Sequence, residues 1–502
     1  MLRRSHRLAK KVGSSFRWGS LPAEIRCTIL EVIMGEKYPG CGWGSLASVC
    51  KEWQSVVERK NFARLNLREH SLGRFQSEQP VRCRNLLRHI CLDIEIRNYT
   101  CGSCGREEYA EYSTSMIRPV LNFGLAFLTG FKEAKDLTLE LNIYSPSDPD
   151  HWFHHWHFGS RNQRPPQAID CARRHDPKHG WVRGRQVAPP PCTATMRLFE
   201  QVELDVQFIK YRLDNITCFV LQRQVRRQIE HVWRLIRKLD CLEHLIYEPW
   251  RPWSNGQRRK RDEELIILVS QCLPSSLKKV SVFEDFSDEV VASLGDSLDT
   301  NRQRMYLVMP GDNLVTPSRV VTPQVGAEFA ARSLPLEALS VSFMINAEDF
   351  FDACQPTWMW PQLESLALTS QRLTETGSRQ GIEALLIAAG VAALRMPKLR
   401  SMAIWNGGKG NACAFIYRTE GLCASISWSG TWDMDLSGDV VAVWRRVAYE
   451  GPLRHVLQVK KVKVEAVIES HGDAIHYLEL PCQVATPESV WQIRREGSIK
   501  RT

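Results

Sequence analysis

From residue 84 onward the chain repeats a short alternation, apolar-x-x-apolar-x-apolar. It reads Leu87-Ile90-Leu92, Ala134-Leu137-Leu139, Phe199-Val202-Leu204, Leu242-Leu245-Tyr247 and Leu277-Val280-Val282, then Leu336-Leu339-Val341, Leu363-Leu366-Leu368 and Leu399-Met402-Ile404. The period of two that closes each unit is that of a strand with one apolar face. Between the strands lie helical stripes, Val225, Ile229, Val232, Trp233, Ile236 and Leu239 in one place and Ile382 to Leu394 in another. Strand, helix, strand in succession predicts parallel strands with helices outside them. The units are unevenly spaced, so the repeats are degenerate and carry insertions. A closed βα barrel is disfavoured, because a sheet covered on both faces calls for continuous apolar runs and these strands alternate.

Ahead of the repeats lie two further helical stripes. Leu21, Ile25, Ile29, Val32 and Ile33 share one helical face, with Pro22 and Glu24 in the first turn and Leu30 broadening the stripe. A glycine-rich break, Gly35 to Ser45, follows. Leu46, Val49, Cys50, Trp53, Val56 and Val57 then recur at helical spacing. Some fifty residues are too few for a core of their own, so these helices must pack on a neighbour or a partner.

The strings Leu21-Pro22-Ala23-Glu24-Ile25, Ile29-Leu30 and Leu46-Ala47-Ser48-Val49-Cys50-Lys51-Glu52-Trp53 together resemble an F-box of the form common in filamentous fungi. The later alternating units are similar to the strand portion of leucine-rich repeats. The expected fold is therefore α/β: an N-terminal helical F-box followed by an irregular leucine-rich-repeat-like solenoid with a small α+β C-terminal cap. The expected division is a basic disordered arm at 1–17, the F-box at 18–67, the solenoid at 68–405 with a disordered insertion at about 145–197, the cap at 406–492 and a basic tail at 493–502. The resemblance implies a substrate-recognition subunit of a Skp–cullin–F-box ubiquitin ligase. Leu21, Pro22, Ile25, Ile29, Leu30, Leu46, Val49, Cys50, Trp53 and Val57 would dock on the Skp adaptor, and through it on the cullin. The solenoid would hold an unknown protein substrate, and the chain itself would not be an enzyme. The alternative is a non-catalytic F-box-like scaffold that never joins a cullin. It is motivated by an inter-helix connection that is longer than usual and lacks the acid-Leu pair that opens the second helix.

After Ile404, Trp405-Asn406-Gly407-Gly408 reads as a turn, Ala412 to Trp428 as a hairpin around Glu420-Gly421, Val440 to Val447 as a helix and Ile475 to Leu480 as a late strand. These make up the expected cap, which would shield the open end of the solenoid. The insertion 145–197 is rich in Pro, Arg and His, with little apolar periodicity, and reads as a mobile loop.

Composition narrows the picture. The chain has 502 residues, with 43% hydrophobic and 24% charged, ordinary for a folded globular protein. No run is long and apolar enough for a membrane span, so no membrane partner is expected. The start, Met1 to Arg7, lacks the apolar segment of a secretory signal. An intracellular setting, cytoplasmic or nuclear, is expected, with the 16 Cys mostly as thiols. The net charge of +10 is concentrated. Arg3, Arg4, Arg7, Lys10, Lys11 and Arg17 open the chain without an acid, and the insertion carries the rest of the excess. A balanced body is not that of a nucleic-acid-binding protein.

Three clusters invite chemistry. Cys101-Gly102-Ser103-Cys104 has the spacing of half a zinc site, but no second pair follows at a familiar distance, and a plain turn with two thiols is expected. His151, His154, His155 and His157, followed by Cys171, His175 and His179, would likewise be a polar aromatic loop. No cofactor and no metal are therefore assigned. Arg258-Arg259-Lys260-Arg261 is neutralised at once by Asp262-Glu263-Glu264 and reads as a solvated helix start. No phosphate-binding loop, nucleophile elbow or His-Glu-x-x-His string is present.

Overall fold

The structure is a computed structural model. It describes residues 18–35, 44–68, 85–105, 110–131, 136–158, 175–204, 206, 212–252, 254–287, 290, 321–421, 423–451 and 454–497. The expected arm at 1–17, residues 159–174 of the insertion and residues 498–502 of the tail lie outside them.

Twelve strands form one sheet: β1 (Arg64–Arg68), β2 (His89–Glu95), β3 (Leu137–Tyr144), β4 (Ile216–Leu221), β5 (His244–Tyr247), β6 (Lys279–Phe283), β7 (Ala338–Ser342), β8 (Ser365–Thr369), β9 (Ser401–Gly408), β10 (Asn411–Glu420), β11 (Cys423–Gly430) and β12 (Val456–Lys463). Their order in the sheet is their order in the chain. Neighbours are parallel except where β10 runs antiparallel to both β9 and β11. Register follows the alternation, with Leu245, Val280, Leu339, Leu366 and Met402 in one row across β5 to β9.

That row belongs to the first face, which carries the main core from Leu67 to Ala448. On it lie α3 (Ala110–Leu128), α5 (Val232–Ile236), α6 (Asn255–Ile267), α7 (Pro323–Arg332), α8 (Ala347–Asp352), α9 (Arg379–Ala393) and α10 (Gly438–Glu450). α4 (Cys192–Leu198) belongs to the insertion. Serines start several helices by accepting an orphan backbone N–H, Ser254 from Gln257, Ser378 from Gly381 and Ser437 from Val440.

The second face is built differently. In β8 to β10 it offers Ala367, Ala403, Trp405, Ala412 and Ala414, and two C-terminal helices, α11 (His471–Leu478) and α12 (Pro487–Gly497), close a second core there. The approach is tight: a Cβ added to Gly407 would meet the Cβ of Ala474 at 2.4 Å. Ser470 starts α11 with a capping box completed by Asp473.

These observations correct the expected fold class. The chain is a mixed α/β protein built on one large, mostly parallel sheet, not a helical F-box followed by a leucine-rich-repeat-like solenoid with a separate α+β cap. The misreading has a physical source. Serine and alanine on alternate strand positions suggest a solvent-facing surface, whereas Ala403, Ala412 and Ala414 here are the small residues that let α11 pack close. β9 to β12 extend the same sheet, and the expected boundary at 405/406 falls inside β9. α1 (Ala23–Gly35) and α2 (Lys51–Ala63) do not form a domain of their own, since α2 passes directly into β1, whose Leu67 sits in the main core.

Local readings change with it. Ile475–Leu480 is not a strand, because α11 covers it to Leu478, and Ile493–Gly497 of the expected tail ends α12. The long helix read over Val225 to Leu239 shrinks to α5 after the short strand Gln228–Glu230, which pairs with Gln201–Glu203 outside the main sheet. The insertion is not disordered in its described parts. Tyr144, Phe153, Trp156, Phe158, Leu198, Phe199 and Trp250 pack into a third core, with Trp156 stacked on Trp250 at 5.9 Å.

Candidate functional site

The ten residues expected to meet an adaptor lie on α1, α2, the short helical turn Gly44–Ala47 and, for Leu21, Pro22, Val49 and Cys50, the segments just before α1 and α2, and the structure divides them. Leu30 and Val57 are buried. Leu21, Ile29, Leu46 and Trp53 are half-buried, and the Trp53 ring lies 5.6 Å from that of Trp18. Trp18 Nε1 donates to Glu52, which also takes Arg26 Nε at 2.8 Å. Those bonds, Arg26 first, hold the Glu52 carboxyl below its ordinary range. Pro22, Ile25, Val49 and Cys50 point outward, with Ile25 47% and Val49 59% exposed, and Val32 adds another 58%-exposed apolar side chain.

A polar region lies on the second face over β1 to β4. Glu140, fully buried, accepts from Arg64 Nη2 at 2.9 Å and faces His89 Nε2 at 2.7 Å, with Gln224 at 3.4 Å. Asp93 accepts from Asn142 Nδ2 at 2.9 Å, and Asn142 also donates to the Phe158 carbonyl. Burial raises the Asp93 carboxyl above its ordinary range, against the lowering effect of Asn142. Asp93 Oδ2 and Asn142 Oδ1 are buried and accept no hydrogen bond from a described residue.

Beyond the carboxyl ends of β3 to β6 the charges are paired by the C-terminal helices. Arg223, which follows β4, bonds Asp285, which follows β6, and reaches Glu496 of α12 at 2.7 Å. Arg226 meets Glu496 at 2.7 Å and stacks over Trp156 and Trp250. His471 of α11 contacts Asp285 at 2.7 Å. Burial pushes the Asp285 and Glu496 carboxyls upward, but Arg223 and Arg226, joined at Asp285 by His471, together outweigh it and both lie below their ordinary range. Glu248, after β5, accepts from Thr486 N at 2.6 Å and from the Ser489 hydroxyl. These bonds seat α12.

The two cysteine and histidine strings meet at the carboxyl ends of β2 and β3. Cys101 and Cys104 sit in the turn after β2, His151 in the turn after β3, and His179 in the short helical turn Pro177–His179. Cys101 Sγ and Cys104 Sγ are each 3.4 Å from His179 Nε2, and one ligating atom from each of the four residues lies within 4.8 Å of the others. Among the described residues this is the one group of three or more such side chains so gathered. Burial, and then His179, holds His151 below the ordinary imidazole range. The expected plain turn with two thiols and the expected polar aromatic loop thus come together in one cluster. The pair and the histidines were visible in sequence, but their union was not, because they follow different strands of a parallel sheet and obey no local spacing.

Residues 272–486 match the model of a family of unknown function, DUF6546. No curated protein matches the chain. The matched stretch runs from the end of the α6 region, through β6 to β12, to the residue before α12. It contains the alanine-rich half of the second face and excludes the polar half, the cysteine and histidine group and α1 and α2. Among the described residues no helix is long and apolar enough to cross a membrane.

Proposed function

We propose that the protein acts by binding other proteins rather than by transforming a substrate, with α1 and α2 as its docking face for a Skp-type helical adaptor. The observation that carries this reading is the exposure of Ile25 and Val32 on α1 and of Val49 just before α2, while Leu30 and Val57 are buried and Trp18 packs against Trp53. Apolar side chains left outside a completed helix contact mark an interaction face. The partner's contribution would be a groove for these side chains, and the large sheet would carry the second protein. In that role the chain is the substrate-recognition subunit of a cullin ligase, and proximity is its contribution to catalysis.

A second reading, a scaffold with no cullin, is favoured by the involvement of Trp53 and Glu52 in holding the pair together, which leaves fewer residues for an adaptor. Co-expression with the Skp adaptor, followed by size-exclusion chromatography, separates the two. A one-to-one complex is expected, and Ile25→Asp with Val49→Asp should abolish it, at a cost of about 2 kcal/mol or more in binding, with an unchanged melting temperature. Failure of the wild-type chain to bind the adaptor would sink the adaptor reading. Adaptor bound without cullin would favour the scaffold.

A further inference from the structure

We infer that Cys101, Cys104, His151 and His179 form a structural zinc site that ties together the loops following β2 and β3. The first argument is stereochemical. Zinc held at about 2.3 Å from sulfur and about 2.0 Å from nitrogen needs tetrahedral edges of roughly 3.3 to 3.8 Å. The two sulfur-to-nitrogen edges at His179 are 3.4 Å, and the whole set lies within 4.8 Å, so closure needs shifts smaller than a bond length.

The second argument is the surroundings of the ligands. His179 Nδ1 is 2.6 Å from Asp176 Oδ2, which leaves Nε2 facing both thiols. A carboxylate behind a ligating histidine fixes its tautomer and orientation. His154 Nε2 lies 3.4 Å from the same carboxylate oxygen. His151 Nδ1 is buried with no hydrogen-bond partner among the described residues. Around these groups Trp152 stands edge-on to His179 and Tyr99 packs beside His151, which makes an aromatic shell. Two thiolates and two neutral imidazoles complete a four-coordinate set, so the site is closed and structural rather than catalytic. Each thiol releases its proton to solvent as the metal binds.

The position gives the ion its use. The turn at 101–105 and the stretch at 148–156 flank Tyr99, Asp148 and Arg227, where the Tyr99 hydroxyl donates to Asp148 at 3.1 Å and Arg227 reaches the same carboxylate at 3.2 Å. A metal would fasten both loops over that buried group and hold the insertion against the sheet.

The test is metal analysis of the full-length chain purified under reducing conditions, followed by Co²⁺ titration of the chelated protein. About one zinc per chain is expected, together with thiolate-to-cobalt charge-transfer bands of a tetrahedral site. Cys104→Ser and His179→Gln should lose the metal, and Cys354→Ser should keep it. Asp176→Asn should keep the stoichiometry with about 10- to 100-fold weaker affinity. A reduced wild-type chain that takes up neither Zn²⁺ nor Co²⁺ overturns the site, as does metal loss in Cys354→Ser. If Cys104→Ser fails to fold, the cobalt spectrum of the wild-type chain decides alone, and absence of sulfur ligation in it counts against the proposal.

Discussion

On the second face of the sheet β2 and β3 offer Asp93, Glu140 and Asn142, whereas β8 to β10 offer Ala367, Ala403, Ala412 and Ala414 at alternate positions of the same kind. Both sets are buried, but different things bury them. Alanine and glycine leave room for a helix backbone, and α11 settles directly on β9 and β10. Carboxylates and amides need partners before they can leave water, so the amino half is held by Arg64, His89, Gln224 and the insertion. The strand period sets which side chains share a face. The size and charge of those side chains decide what can lie on it.

The largest expected difference between the halves comes from removing one arginine in each. Arg223→Ala would leave buried Asp285 with His471 alone and buried Glu496 with Arg226 alone, and a broken buried pair costs about 3–5 kcal/mol. Arg64→Ala should cost less than about 1 kcal/mol, because Arg64 is partly exposed and Glu140 keeps His89 and Gln224. Urea denaturation gives both numbers, and hydrogen exchange should show loss of protection over 471–497 for Arg223→Ala alone. Equal costs would mean that the two halves are bound together in the same way, and the comparison would fail.

Next in size is Gly407→Ala. Its new methyl would press on Ala474, a side chain too short to swing aside, and overpacking of this kind costs about 1–3 kcal/mol. Protection in α11 should fall while that of β2 and β3 stays unchanged. A neutral outcome would show that α11 rides loosely on the sheet.

How much of this was legible in the sequence follows from the same contrast. Leu245, Val280, Leu339, Leu366 and Met402 announce their strands because an apolar residue at every second position has one structural meaning. α9 was equally plain, with Ile382, Leu385, Leu386 and Ala389 all buried on one side. Ser340, Ala367 and Ala403 carry no such message, since small residues suit both a wet surface and a close helix contact. Ile475 to Leu480 alternates like a strand, yet its helical hydrogen bonds begin at the Ser470 cap and its true partner is a sheet some seventy residues upstream. The apolar stripes of α1 and α2 were legible, but which of their residues turn inward depends on the pairing of Trp18 with Trp53 and of Arg26 with Glu52. Cys101 and Cys104 stood out, and His151 and His179 stood out separately. Their meeting depends on the placement of loops after β2 and β3, which no local periodicity encodes.

The smallest expected effect is a difference in the sign of pH dependence. Asp285 and Glu496 lie below their ordinary ranges when folded, against unfolded values of about 3.9 and 4.3. A depressed carboxyl contributes stability that is fully present above its unfolded value and is lost as pH falls through its folded one. Protection of 471–497 should therefore hold at pH 5 and decline as the solution is taken well below pH 4. Asp93 is displaced the other way by burial. Its contribution is fully present below about pH 3.9 and is lost as pH rises through the folded value, so protection of 89–96 should weaken on going from pH 4 toward neutrality. Asp93→Asn should flatten that decline without touching the C-terminal response, because the amide keeps the shape and removes the charge. Protection factors measured segment by segment across this range decide it: slopes of one sign in both halves would show that Asp93 is charged and fully paired when folded, and that the polar half is anchored by ion pairs just as the C-terminal helices are.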